Sequence, residues 1–507
     1  MLRSFVNEVI KRYLRFRFRT RIQDIKYDAL NLQQLILRRI ISNSFDTVYT
    51  KKYKLDSTDD YAEFKSKIPI TTYEDLFPYI NRMLLGEENV LCRDKINWFS
   101  KSSGTTNDKS KYIPISEDYI KENLIGSSWD TTCLVNNNRP NSRLFADKSL
   151  IMGGSIAPFR ENSEVVIGDV SAIMISTIPN IGRPFYTPDF SVALLPDWNE
   201  KLEKIIDQCL KEDVVMFGGV PTWNIVLFNK ILEHTGKKNI LEVWPNLKTY
   251  LHGGVSFTPY REQFKKFIPT DDFDYVEIYN ASEGYFAVQD LPGFDNGMLL
   301  LTNNAIFFEF IEMKNFDQGI MEAITLKDVE LNKSYAMLIT NICGLWRYMP
   351  GDTVVFTSLN PFRISVTGRT KQYINAFGEE VMVANTDAAL LKTCQALQCE
   401  VSDYTVAPIF LDGQTKGGHE WLIEFEKAPL DIKSFEVALD KNLREQNSDY
   451  DAKRSGDLAL INLKIKALPK GTFYQWMEFK GKVGGQNKVP RLSNDRKYMD
   501  EINAFLK

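Results

Sequence analysis

Three histidines, His234, His252 and His419, and six cysteines without one CxxC pair leave this chain of 507 residues with no zinc-ligand spacing. The cysteine usage fits a reducing cytoplasm. A basic excess is missing too: 62 lysines and arginines against 66 acidic residues give a formal net charge of −4, which argues against a general nucleic-acid binder. No apolar run approaches the roughly 18 residues that a membrane span needs, and no secretory signal opens the chain. Internal repeats and low-complexity tracts are absent, which argues against a solenoid. No obligate protein partner is evident.

What is present is an ordinary globular composition, 44% hydrophobic and 25% charged, long enough for several packed layers and more than one domain. The opening "MLRSFVNEVIKRYLRFRFRTRIQ" is basic and amphipathic. A transit peptide or membrane-surface helix is one reading; a helix packed on the body through Phe5, Val9, Ile10, Tyr13 and Leu14 is the one adopted.

Further along, "EVVIGDVSAIMIS" and "DVVMFGGVPTWNIVLFNKILE" read as buried strands leading into turns and helices, with Pro221 suited to a first helical turn. "LKTYLHGGVSFTPYREQFKKFIP" is an apolar run broken by Gly253 and Gly254, and "DYVEIYNASEGYFAVQD" reads as strand, turn, strand. In open α/β sheets ligands collect at the carboxyl ends of strands, so these turns are expected to converge on one crevice. The alternative for each is a plain connection.

"KSSGTTNDKSKYIPIS", residues 101–116, puts hydroxyls and one glycine between strand-like runs. Ser102, Ser103, Gly104, Thr105 and Thr106 offer the oriented donors of a phosphate cradle. It is not a Walker A loop, because no second glycine followed by lysine comes after Gly104. A solvated Ser/Thr turn is the alternative.

The ordered set "SSGTT", with Lys109 and Lys111 downstream, then "YNASEG", "YMPGD" and "GRTK…FGEE" is specific where each motif alone is weak. It resembles the adenylate-forming enzymes, and the chain from about residue 60 ("FKSKIPITTYEDLFPYINRMLLGE") to "GGQNKVPRL" resembles the plant and bacterial acyl acid amido synthetases of the Gretchen Hagen type. The resemblance implies an α/β fold. A large N-terminal adenylation domain, residues 1–370, would carry the phosphate loop and the acid and nucleotide sites; a smaller mobile α+β domain would follow over 371–507. The implied activity is an ATP- and Mg2+-dependent ligase that turns a small carboxylic acid into an acyl-adenylate and passes the acyl group to an amino acid. The alternatives are an acid–CoA ligase using the same adenylation step and a non-catalytic nucleotide- or acid-binding homologue.

By the same resemblance Tyr279 would lie against adenine, Ser282 on phosphate, Glu283 on magnesium, Asp352 on the ribose hydroxyls and Arg369 on ribose or phosphate. Lys371 would be the hinge between domains. Pocket walls are expected from Tyr119 to Asp130, from Val220 to Ile225 and from His252 to Phe257, with Val220, Thr222, Gly253, Gly254 and Val255 touching substrate. Two departures stand out. Met349 occupies the position of an arginine in the plant "YRxGD" pattern, with Arg347 or Arg369 as replacement guanidinium, and "FGEE" stands where those enzymes carry an Asp-Lys pair. The catalytic lysine would then be Lys482 or Lys488 in "KGKVGGQNKVPR".

Overall fold

The computed structural model describes the chain except residues 1, 103–110, 162, 256, 258–259, 294–295, 371–372, 411–415, 458, 481–488 and 507. Its centre is a sheet of twelve strands built from two halves. In the first half Tyr186–Thr187, Lys148–Leu150, Val214–Gly218, Thr249–His252 and Asp274–Ala281 run parallel. In the second half Gly284–Val288, Met298–Leu300, Phe362–Arg369, Asp352–Leu359, Ser334–Asn341, Ile306–Glu312 and Ile324–Thr325 pair antiparallel. Asp274–Ala281 joins the halves, because it pairs parallel with Thr249–His252 and antiparallel with Gly284–Val288.

Local sequence explains the parallel half. Val214–Gly218 is apolar and short, Pro221 opens the helix Pro221–Thr235 where its missing N–H costs nothing, and Gly236 ends it in the left-handed conformation at φ +66°. That is the strand, turn and helix read from the sequence. The second half instead buries both faces of its inner strands, as the almost continuous burial of Ile306–Glu312 shows.

A smaller four-stranded sheet carries Trp98–Ser102 antiparallel to Lys111–Ile115, with Ser102 opposite Lys111. From Ile374 onward a separate apolar cluster forms around Phe377, Val406, Trp421, Phe435 and Leu443, beside a three-stranded sheet, Glu400–Ile409, Gly418–Lys427 and Lys464–Leu468. The α/β class expected from the sequence is the class observed. Phe410 packs into both this cluster and the one beneath the parallel strands.

The N-terminal helix Leu2–Arg17 does pack on the body, but not through the whole face expected. Leu14 is buried and Ile10 packs beside it, whereas Val9 and Tyr13 are about half exposed. Electrostatics supplies what the apolar face does not: Arg17 and Arg21 converge on the fully buried carboxylate of Asp130, at 2.7 and 2.9 Å. Among the described residues no helix is long and apolar enough to cross a membrane.

Arg347 is a heavily committed cation of the core. Its guanidinium donates twice to Glu309, at 2.9 Å each, and to the carbonyls of Ile68 and Lys65. Its backbone sits at φ +42°, a conformation held by this network. Removing one partner of such a pair strands a buried charge, at a cost of about 3–5 kcal/mol. Arg347→Ala is therefore expected to lower the urea midpoint by that equivalent, and Arg347→Met combined with Glu309→Leu to recover most of it; an unchanged midpoint in the single variant contradicts this.

Candidate active site

Tyr279, on the strand that joins the two halves of the sheet, donates its hydroxyl to Asp352 Oδ2 at 2.5 Å. Arg369, at the far end of the adjoining hairpin, donates to Asp352 Oδ1 at 2.8 Å and lies over the ring of Tyr373. The register of the hairpin sets Asp352 directly opposite Arg369. One carboxylate thus collects a phenol from the parallel half and a guanidinium from the antiparallel half. Burial, and then the Asp352 charge, pushes the Tyr279 phenol well above its ordinary pKa, so it remains a donor.

Ser282 and Glu283 are the central residues of the two-residue turn between Asp274–Ala281 and Gly284–Val288. Ser282 is partly exposed; Glu283 is buried, 6% exposed. Tyr119 donates to the Glu283 carbonyl at 2.7 Å, and Tyr348 reaches its carboxylate at 3.4 Å. The next residue must be glycine: a Cβ on Gly284 would lie 2.2 Å from the Tyr119 hydroxyl. Burial raises the Glu283 pKa, Lys111 and Arg369 act to lower it, and Asp352 raises it further. A buried carboxylate is a hard oxygen donor and fits a hard cation that keeps water and phosphate as its other ligands.

The turns after two parallel strands adjoin this cluster. A Cβ on Gly253 would fall 2.3 Å from the carbonyl of Ile278, the residue before Tyr279, so only glycine lets the chain pass there. Gly254 adopts φ +80° and packs against Val220; Val255 follows it, and Thr222 stands in the first turn of Pro221–Thr235. His252, 3% exposed, lies 4.2 Å face on to Phe257, and burial lowers its imidazole to about 3, which leaves it neutral at physiological pH.

The structure therefore brings Tyr279, Glu283, Asp352 and Arg369 together, with Val220, Gly253 and Gly254 adjoining. Ser102 ends its strand at the base of the hairpin, whereas Ser103, Gly104, Thr105, Thr106, Lys371, Lys482 and Lys488 lie outside the described residues. Two expectations need correction. Arg347 is not a replacement guanidinium for the site, because Glu309 and two backbone carbonyls hold it in the core. Nor do Tyr119, Asn123 and Asp130 present side chains to a pocket wall: Tyr119 is fully buried beneath Glu283, Asn123 bonds the backbone of Tyr285, and Asp130 serves the N-terminal arginines. Sequence reasoning missed the electrostatic reach of Lys111 to Glu283, for which its position just after the Ser/Thr loop was the available signal.

Family profiles agree along the chain. The GH3 family N-terminal domain matches residues 18–202 and 161–273, the GH3 family central domain residues 299–369, and the GH3 family C-terminal domain residues 384–497. The chain belongs to the GH3 family. Among its GH3 relatives, the indole-3-acetic acid-amido synthetase GH3.4 of Arabidopsis thaliana is 24% identical, covering 93% of this chain and 90% of that protein. The solved GH3.15 acyl acid amido synthetase shares the fold with a TM-score of 0.61 at 19% identity, covering 95% of this chain and 94% of that one. A 2-hydroxyisobutyryl-CoA ligase in complex with 2-HIB-AMP and CoA shares it with a TM-score of 0.55 at 12% identity, covering 94% and 91%. The resemblance read from the motifs is thus borne out at the level of family and fold.

The burial of Glu283 has a measurable consequence. A carboxylate whose pKa is raised on folding favours the native state only while protonated, so its contribution falls as pH rises above the ordinary carboxyl range. Glu283→Gln cannot ionise. Its melting temperature should exceed that of the wild type at pH 8, with the difference shrinking as pH falls toward about 4; a gap that is absent or reversed at pH 8 contradicts the burial penalty.

Proposed function

We propose that this protein is an ATP-dependent ligase that activates a small carboxylic acid as an acyl-adenylate and joins it to an amino acid, releasing AMP and pyrophosphate. The observation that carries this reading is the bonded set Tyr279, Asp352 and Arg369 beside the desolvated Glu283, in a chain of the GH3 family. Arg369 neutralises Asp352 and Tyr279 orients it, while each carboxylate oxygen keeps a lone pair for a ribose hydroxyl. The ring of Tyr279 offers an aromatic surface to adenine. Ser282 and the Ser102–Thr106 loop, with Ser103, Gly104, Thr105 and Thr106, supply donors to the phosphates. Oriented donors of this kind carry a large share of catalysis where charge develops on oxygen.

The chemistry runs in two steps. A carboxylate oxygen of the acid attacks the α-phosphorus of ATP, and the bond to the bridging oxygen of the β-phosphate breaks, with pyrophosphate taking the electron pair. The ammonium of the amino acid then gives one proton to solvent, the amine so formed attacks the acyl carbon, the C–N bond forms, the bond to AMP oxygen breaks, and a second amine proton passes to solvent. Glu283 would hold a magnesium ion, whose charge neutralises phosphate oxygens when bound. Lys111, which follows the Ser/Thr loop in sequence, opposes the burial penalty of Glu283. Val220, Thr222, Gly253, Gly254 and Val255 form the acid wall in this reading. A boundary at 370/371 with Lys371 as hinge, and Lys482 or Lys488 as the catalytic lysine of the second domain, complete it; the separate apolar cluster from Ile374 onward supports two domains. Six free thiols among the described residues support a reducing, cytoplasmic setting.

Acid-dependent exchange of labelled pyrophosphate into ATP, scored over a panel of small carboxylic acids, tests the proposal. Exchange with at least one acid is expected, followed by AMP release that depends on an amino acid. Exchange consumed only by CoA would give the thioester ligase, and no exchange with any acid would give a binding protein. Asp352→Asn should raise the KM for ATP roughly ten-fold or more, since it weakens both the ribose acceptor and the Arg369 pair, and change the KM for the acid less. The opposite ordering would remove the ribose assignment.

A further inference from the structure

Lys453 stands in the helix Ser448–Arg454, yet its ammonium lies over the ring of Trp223, 4.5 Å from the centroid, in the first turn of Pro221–Thr235. The loop of residues 375–380 closes the other side. Asn375 donates to the carbonyl of Gly254 at 3.1 Å, and a Cβ on Gly378 would lie 3.4 Å from Lys453 Cε. Lys453 therefore reaches from the C-terminal layer to the carboxyl ends of the parallel strands, where the turns at Val220 and Gly254 meet.

Its surroundings are unusual for a lysine. Among the described residues no carboxylate lies within ion-pair distance of its Nζ; its close partner is an aromatic face. Desolvation lowers its pKa, against the through-space pull of Asp449, Glu379, Asp169 and Glu380. Asp169 accepts from the Ser155 amide at 2.9 Å, and Glu379 bonds His419 and the Phe377 amide. A cation held over a ring keeps N–H donors for an incoming anion, and dehydration strengthens that contact. The flanking carboxylates disfavour a simple anion but suit a zwitterion, whose ammonium they attract. Of the substrates in the reaction above, the amino acid is the zwitterion.

We propose that Lys453 receives the α-carboxylate of the acceptor amino acid, with the amine turned toward Asp169 and Glu380, and that it thereby sets the preference for amino acids over simple amines. The proposal rests on the ligase reading and assigns Lys453 to the second half-reaction. Lys453 is a specificity residue in this account, since it touches the acceptor and not the reacting carbonyl.

The test compares wild type, Lys453→Met and Lys453→Arg with the best acceptor among the twenty standard amino acids and with the primary α-carboxamide of that amino acid, which lacks the anion. Lys453→Met should raise the KM for the amino acid roughly 10- to 100-fold relative to any change in pyrophosphate exchange, because a charge-assisted contact is lost. It should also abolish the preference for the amino acid over its carboxamide, and Lys453→Arg should restore part of that preference. A variant that keeps both the KM and the preference overturns the proposal, as does one that loses exchange and amide formation by the same factor. Wild-type exchange without any amino acid conjugate overturns the acceptor site and leaves adenylation standing. Absence of wild-type exchange overturns the ligase reading and this proposal with it.

Discussion

Asp352 ties the molecule together at the point where its two kinds of sheet meet. Tyr279 approaches it from the strand that ends the parallel half, and Arg369 from the hairpin of the antiparallel half. Two strong hydrogen bonds to one buried carboxylate fix the relative positions of the Glu283 turn and the strand end that leads to the C-terminal residues. Each neighbouring feature follows from that fixed point: the glycine that lets Tyr119 reach the Glu283 carbonyl, the glycine that lets the 253–254 turn pass the Ile278 carbonyl, and the ring of Tyr373 beneath Arg369.

The charges divide by task. Arg347 and Glu309 satisfy each other deep in the core, and Arg17, Arg21 and Asp130 anchor the N-terminal helix. Glu283 is different, since burial costs it stability, against which its carboxylate has a long hydrogen bond from Tyr348 and the pull of Lys111 and Arg369. Groups kept at such a cost are concentrated where charge must be met during a reaction. Lys453 shows the same economy at the junction of the layers, a partly buried cation on an aromatic face.

Much of this was legible in the residues. The strand, turn and helix around Pro221 and the hairpin at "YNASEG" follow from local signals, whereas the grouping of Tyr279, Glu283, Asp352 and Arg369 was implied by the family resemblance that the motif order carries. What could not be read were contacts between residues far apart in sequence. Nothing local shows that Arg347 meets Glu309, that Lys453 lies over Trp223, or that Asp274–Ala281 pairs parallel on one side and antiparallel on the other. The N-terminal helix makes the same point, because its apolar periodicity marked Val9 and Tyr13 for burial while the Asp130 ion pairs decided which side faces inward.

The central claim is that this site joins an acid oxygen to the α-phosphorus of ATP, and isotope transfer reads that bond directly. With an acid that supports turnover, labelled with 18O in both carboxylate oxygens, complete conversion with ATP and an amino acid should leave one 18O in AMP, one in the amide product and none in pyrophosphate. Label in inorganic phosphate, with ADP as the other product, would mean an acyl phosphate and would contradict the adenylate account.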